Sequence, residues 1–248
     1  MGRMTEAIKH LIIINVIFFI AGITGLGDTL YEHLALWFPQ HPNFGFWQVI
    51  SHMFLHDFTG FFHILFNMYA LWAFGSPLER IWGRNKFLFF YFSAGIGGAL
   101  LHIASNYYFF NEGIEIITST GLTEQRIVEI LSNGQYSPDW YKLASQGTID
   151  RFMSAFNAPA VGASGAVYGV LVAFAFMFPN AELMLIFLPV PIKAKYFVPL
   201  MIFGYDILYG LASSGSNVAH FAHIGGALIG FIMMWYWKKN QFNQNRWN

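Results

Sequence analysis

Six stretches of the chain are almost purely apolar: residues 8–26, 60–75, 86–107, 159–179, 196–211 and 218–237. A hydrocarbon core of about 30 Å takes about 20 helical residues to cross. Lipid offers the backbone no hydrogen-bond partners, so such runs close their own bonds as helices. The pattern therefore predicts an all-α, polytopic membrane protein of six transmembrane helices. The second run is short, and Ser76, Pro77 and Leu78 extend its last turn. Six spans put both termini on one side.

Two connections break the rhythm. Residues 27–59 hold Trp37, Phe38, Phe44, Phe46 and Trp47, interrupted by Pro39 and Pro42. This mixture suits a loop lying in the membrane interface, where aromatic rings anchor. The third connection, residues 108–158, is about 50 residues long, far beyond an ordinary helix–helix link. It reads as partly helical. One helix starts at Thr123, presents Ile127, Ile130 and Leu131, and stops at Gly134. A second has Ser137 as cap and Pro138 in its first turn, and a third begins near Thr148 with Phe152, Met153 and Phe156 on one face. An amphipathic cap resting on the bundle or bilayer is the expected role.

Composition agrees with a membrane chain: of 248 residues, 56% are hydrophobic and 10% charged, against about a quarter charged in soluble domains. Thirteen basic residues balance thirteen acidic ones, which argues against nucleic acid as a partner. There is no cysteine, so thiol catalysis and cysteine-based zinc sites are excluded. The first apolar run follows Arg3 and Lys9 without a clear small-residue cleavage site, and reads as an anchor rather than a signal peptide. Charge matters through its distribution. Arg3, Lys9, Arg80, Arg84, Lys86, Lys193, Lys195, Lys238, Lys239 and Arg246 fall on the side of the termini, whereas Arg126, Lys142 and Arg151 fall opposite. The positive-inside rule makes both termini cytoplasmic.

Candidate chemistry lies in the second, fourth and sixth runs, which cross in the same direction. They carry His63 and Asn67, Ser164, and His220 and His223. Ser164 sits among Gly162, Ala163, Gly165, Ala166 and Gly169. Each group alone has a bland reading: a membrane serine returns its hydroxyl to its own helix, and small residues pack helices closely. Together they lie within a turn or two of one membrane surface. A serine becomes a nucleophile when a histidine takes its proton, and the resulting oxyanion needs fixed donors. Ser164 and His223 supply the pair. His63, the Asn67 amide and the Ser164 backbone N–H supply the donors. Gly225, Gly226 and Gly230 would let the sixth helix pack against Gly162, Gly165 and Gly169. A metal reading would draw on His52, His56, His63, His220, His223 and Asp57. The sequence has no His-Glu-x-x-His, and no carboxylate accompanies His63 or His223 in its own run, so neither metal nor cofactor is expected. Asp206, in the fifth run, is expected to accept a bond from Tyr205, Tyr209 or a neighbouring helix, outside the catalytic group.

With these residues in view, the chain resembles the rhomboid intramembrane serine proteases. The stretches "HILFNM", "GASG" and "AHIGGALIG" match in order, flanked by "FWQVISHMFLH" and "ERIWGRNKF". The resemblance covers most of residues 46–239 apart from the long third connection. It implies a six-helix rhomboid-like bundle over residues 1–248, with an extracytoplasmic insertion at 108–158 and a short cytoplasmic tail at 238–248. It also implies endopeptidase cleavage of single-span membrane proteins within or beside their transmembrane segments. Ser164 matches the nucleophile, His223 the base, His63 and Asn67 the oxyanion donors and Gly162 the motif glycine; His220 does not match the base. The resemblance further implies a Ser–His dyad without an acidic member. The sequence shows no organelle-targeting extension, so the expected location is a plasma membrane, namely a bacterial inner membrane. One departure is Trp47-Gln48 where the family has Trp-Arg. The competing function is a non-catalytic holder of transmembrane clients, which the presence of both Ser164 and His223 disfavours.

Overall fold

The computed structural model describes residues 3–185, 188–209 and 220–241. The chain is mostly helical. α1 (Glu6–Ala21) continues through a π-turn, Gly22–Leu26, into α2 (Gly27–Leu34). The kink falls at Gly25, whose φ of +111° suits glycine. This run, Glu6–Leu34, and α6 (Arg84–Thr118) are the two described helices long and apolar enough to cross a membrane by themselves. The first connection, predicted to start at residue 27, thus begins as helix and leaves it only after Leu34.

A short α3 (Gln48–Ser51) and a 3-10 turn (His52–Phe54) lead to α4 (Phe61–Ala70). α4 runs through a second π-turn, Leu71–Gly75, into α5 (Ser76–Trp82), so the second run extends further than its apolar residues alone indicate. Glu79 of α5 is buried and ties this hairpin to α1. It accepts the backbone N–H groups of Ala7 at 2.9 Å and Ile8 at 3.1 Å, and the Thr5 hydroxyl. A carboxylate here satisfies orphan donors at the positive end of α1.

α6 has 35 residues, or about 52 Å at about 1.5 Å per residue. It outreaches a hydrocarbon core by about 20 Å. The predicted stop at Tyr107 is therefore superseded: no glycine–proline break follows, and Phe110, Gly113 and Ile117 continue a buried stripe to Thr118. The projecting end carries α7 (Glu124–Ser132), a 3-10 turn (Pro138–Lys142) and α8 (Gln146–Asn157). The predicted caps at Thr123 and Ser137 form, each side chain accepting a backbone N–H two or three residues on. The third helix starts earlier than Thr148, because Ser145 caps it. Phe38, Phe110, Ile127, Leu131, Trp140 and Phe152 form a separate core within this projection. α8 meets α6 where Gly113 leaves room, since a Cβ there would stand 2.1 Å from the Phe152 ring.

α9 (Ser164–Met177) is nearly all buried. An antiparallel hairpin follows, β1 (Glu182–Leu185) with β2 (Leu188–Lys193), and Glu182 pairs with Lys193 at its base. α10 (Ala194–Leu200) opens into a nine-residue π-helical segment, Met201–Tyr209. α11 (His220–Gln241) closes the bundle. It includes residues 238–241, the start of the predicted tail. The end of the fifth run at 210–211, the loop 212–217, the start of the sixth run and tail residues 242–248 lie outside the described residues.

Glycines bring α6, α9 and α11 into backbone contact. A Cβ on Gly226 would stand 1.9 Å from the Gly165 carbonyl oxygen, and one on Gly230 would stand 2.8 Å from Gly169 Cα. The expected pairing of the two small-residue stripes holds at these positions. Gly225 instead faces Gly97 and Gly98 of α6, and Gly162 faces His63.

Candidate active site

The nucleophile candidate is placed by what precedes its helix. Residues 158–163 are extended or turning, and Ala160 forms a two-way backbone bridge with Leu36, both bonds 2.9 Å. Two residues on, the Gly162 N–H donates to the His52 carbonyl at 3.0 Å. The first connection thereby clamps the approach to α9. Gly162 has φ +127°, a conformation that disfavours any side chain. Its missing Cβ would stand 3.2 Å from His63 Nε2 and 3.4 Å from Ser164 Oγ. The conformation is what favours glycine here, and a side chain would also press on those two groups.

Ser164 is the first residue of α9, where backbone N–H groups lack helical partners and favour negative charge. Its Oγ lies 2.8 Å from His223 Nε2. These groups are 59 residues apart in the chain, and the Gly226–Gly165 contact one turn further along α11 holds the two helices close enough for them to meet. On its other edge, His223 Nδ1 donates to Asp206 Oδ1 at 2.7 Å. That bond places the ring proton on Nδ1 and leaves the Nε2 lone pair facing the serine hydroxyl. Tyr168, one turn after Ser164, stacks on the imidazole with centroids 4.3 Å apart and planes 8° apart.

His63 is oriented by similar means. The backbone N–H of Asp57 donates to its Nδ1 at 3.3 Å, so Nε2 carries the proton on the edge turned toward Gly162. Asn67 lies one turn along the same face. Its amide donates back to the His63 carbonyl at 2.9 Å, which occupies one of its two N–H groups. Gln48 stands in the first connection where the resemblance leads one to expect arginine. It is fully buried: its Oε1 accepts from the Trp37 backbone at 3.2 Å, and its Nε2 donates to the carbonyls of Asn43 at 2.7 Å and His33 at 3.3 Å. A neutral amide thus holds that loop together.

His220 also donates its Nδ1–H to Asp206 Oδ1, at 3.0 Å. The expectation that Asp206 accepts from a neighbouring helix is met, and the donor helix is the one that carries the candidate base. The π-helical segment and α11 bring the carboxylate onto the candidate base. The sequence offered a signal, a lone carboxyl in an apolar run, which lipid penalises unless it is paired. Tyr168 was missed as well, although it lies four residues after Ser164 and so shares its helix face. The metal reading sought a carboxylate in the runs of His63 and His223. The fold supplies one from elsewhere, with ligand atoms of Asp206, His220 and His223 within 4.8 Å of one another.

Comparison with known sequences identifies the family. The family model for the Rhomboid domain matches residues 43–123 and 140–240. The chain belongs to the rhomboid family. Rhomboids are membrane proteins, and the family includes serine proteases that cut within the membrane. Rhomboid protein 1, mitochondrial, of Saccharomyces cerevisiae is 28% identical over 192 residues, which is 77% of this chain and 42% of the yeast protein. The human presenilin-associated rhomboid-like protein, mitochondrial, is 29% identical over 188 residues, 75% of this chain and 37% of that one. Rhomboid protease GluP of Bacillus subtilis is 30% identical over 103 residues, 40% of this chain and 20% of that protein. The chain spans less than half the length of these relatives. The widest matches carry mitochondrial names, so the expectation of a bacterial inner membrane gains no support from them.

Proposed function

We propose that this rhomboid is a serine endopeptidase that cleaves transmembrane segments of single-span membrane proteins, with Ser164 as nucleophile and His223 as general base. The 2.8 Å approach of Ser164 Oγ to His223 Nε2 carries this reading. The hydroxyl proton passes to Nε2 as Oγ attacks the scissile carbonyl carbon. The oxyanion forms beside the Nε2–H of His63, the Ser164 backbone N–H and the free amide N–H of Asn67. The imidazolium then protonates the leaving amine as the C–N bond breaks, and water hydrolyses the acyl-enzyme with His223 again as base. No cofactor or metal takes part.

The architecture that goes with this chemistry is a single six-span domain with both termini on the side rich in Lys and Arg, the cytoplasmic side. Residues 108–158 form an insertion opposite, carried by the projecting end of α6, and 238–248 form the tail. Substrate helices must unwind to expose a peptide bond, so Gly or Pro near the cut speeds cleavage.

The test is the purified chain in liposomes with a single-span substrate. Wild type is expected to cut it, and Ser164→Ala and His223→Ala to give no product. Cleavage by Ser164→Ala refutes the assignment. Binding of substrate by wild type without any cleavage supports the client-holding function instead.

A further inference from the structure

Asp206 is a costly residue for its place. Its side chain has no solvent exposure, and a carboxylate buried in a spanning segment is tolerated when it is paired and hydrogen-bonded. It meets both conditions at one atom: Oδ1 accepts from His223 at 2.7 Å and from His220 at 3.0 Å. The histidines lie three apart on α11, on one face of its first turn, with ring centroids 6.4 Å apart. Asp206 is carried by the π-helical segment Met201–Tyr209, and widened turns of this kind recur where a helix re-aims a functional side chain.

We propose that Asp206 is a positioning residue for His223, and that His220 holds the Asp206 carboxylate in register, so that Ser164, His223, Asp206 and His220 act as one hydrogen-bonded chain rather than as a dyad. This rests on the Ser164–His223 reading above.

The chemistry requires one tautomer of His223. With the proton on Nδ1, Nε2 can accept from Ser164; with the proton on Nε2, it cannot. The carboxylate selects the first form and fixes the ring plane, while Tyr168 covers one face of the ring. When Nε2 takes the serine proton, the imidazolium forms beside a fixed negative charge, and Asp206 keeps its own protonation state throughout. His220 gives that carboxylate a second anchor on the helix that bears the base. Loss of His220 therefore acts through Asp206.

The same three residues could instead ligate a divalent cation. A cation bound at both Nδ1 atoms would force the His223 proton onto Nε2 and silence the base. The proposal therefore predicts that EDTA leaves the wild-type rate unchanged.

The experiment measures kcat and KM of the full chain in liposomes on a transmembrane substrate, with thermal unfolding of each variant alongside. Asp206→Asn keeps the shape and loses the tautomer choice, so kcat is expected to fall about 100-fold or more with KM nearly unchanged. Asp206→Glu recovers about a tenth of the lost rate or more, as a longer carboxylate can still reach. His220→Ala lowers kcat about tenfold, and the Asp206→Asn/His220→Ala double variant is no slower than Asp206→Asn alone. If Asp206→Asn does not fold, His220→Ala decides alone: a tenfold kcat loss at constant KM upholds the chain, and an unchanged kcat overturns it. Wild-type kcat in Asp206→Asn, with Ser164→Ala and His223→Ala inactive, overturns the positioning role and leaves the serine protease reading standing. Full activity in Ser164→Ala overturns that reading itself. Additive losses in the double variant overturn the part given to His220, and a rate raised by EDTA overturns the chain in favour of a cation held by the same three residues.

Discussion

The ring of Tyr168 lies flat on the ring of His223, 4.3 Å away and within 8° of parallel. Two neighbouring helices thus share a restraint on the imidazole besides its hydrogen bonds. A stacked pair of this kind is worth about 0.5–1.5 kcal/mol beyond the area it buries. Tyr168→Leu is expected to lower kcat about tenfold, as the ring of His223 gains freedom to turn from Ser164. Tyr168→Phe, which keeps the aromatic face, is expected to lose less. Steady-state cleavage of a transmembrane substrate measures the difference, and equal losses in the two variants would remove stacking from the account.

Gly226 sets the distance between the helices that bear Ser164 and His223. Its missing Cβ would stand 1.9 Å from a backbone oxygen, so no side-chain rotation can relieve the clash. Gly226→Val is expected to separate α9 from α11, break the Ser164–His223 contact and abolish cleavage. Gly204→Ala is the control: its Cβ would meet only Leu200, at 3.7 Å. That substitution is expected to fold normally and to melt no lower than wild type.

Acid is expected to destabilise the protein through the first connection. Burial lowers His52 to about 4 and His56 to about 3 from an ordinary value of 6.5. Between about pH 4 and 6.5 the unfolded chain binds protons at these positions and the folded chain does not, so stability rises with pH across that window. Unfolding followed at pH 7.5 and pH 5 should show the lower midpoint at pH 5. Both ring nitrogens of His56 are buried without a hydrogen-bond partner among the described residues. Substitution by an apolar ring of similar shape removes that cost. His56→Phe is therefore expected to raise the midpoint at pH 5 and to flatten the pH dependence.

Glu79 joins α5 to the start of α1 through two backbone N–H groups and the Thr5 hydroxyl. Glu79→Ala leaves buried donors unpaired, a loss of about 1–3 kcal/mol. Glu79→Gln keeps one acceptor oxygen and is expected to fall between the two. Denaturant unfolding in detergent reads the order, and kcat at a temperature where all three are folded should not change.

The sequence made some features legible for physical reasons that are local. Thr123, Ser137 with Pro138, and Gly134 announced caps and a stop, because capping involves residues only two or three apart. The small residues around Ser164 announced close packing, which the Gly165–Gly226 and Gly169–Gly230 contacts bear out. Helix ends were harder to read. Hydropathy marks where lipid stops, whereas α6 continues to Thr118 because Phe110 and Ile117 are buried by α8 and its neighbours rather than by lipid. Asp206 was the main loss. Its partners are 14 and 17 residues away, on a helix whose depth relative to the π-helical segment no periodicity encodes. Asn67 shares a helix face with His63, yet its amide turns back to its own helix, a competition that spacing alone does not resolve.

The central claim is that His223 makes Ser164 nucleophilic, and a fluorophosphonate tests it without any substrate. Mass spectrometry of the labelled, digested protein is expected to find the adduct on Ser164 in wild type. In a folded His223→Ala variant that adduct should be absent or form at least about 100-fold more slowly. Labelling of Ser164 at the wild-type rate without His223, or an adduct on another residue in wild type, would contradict the account.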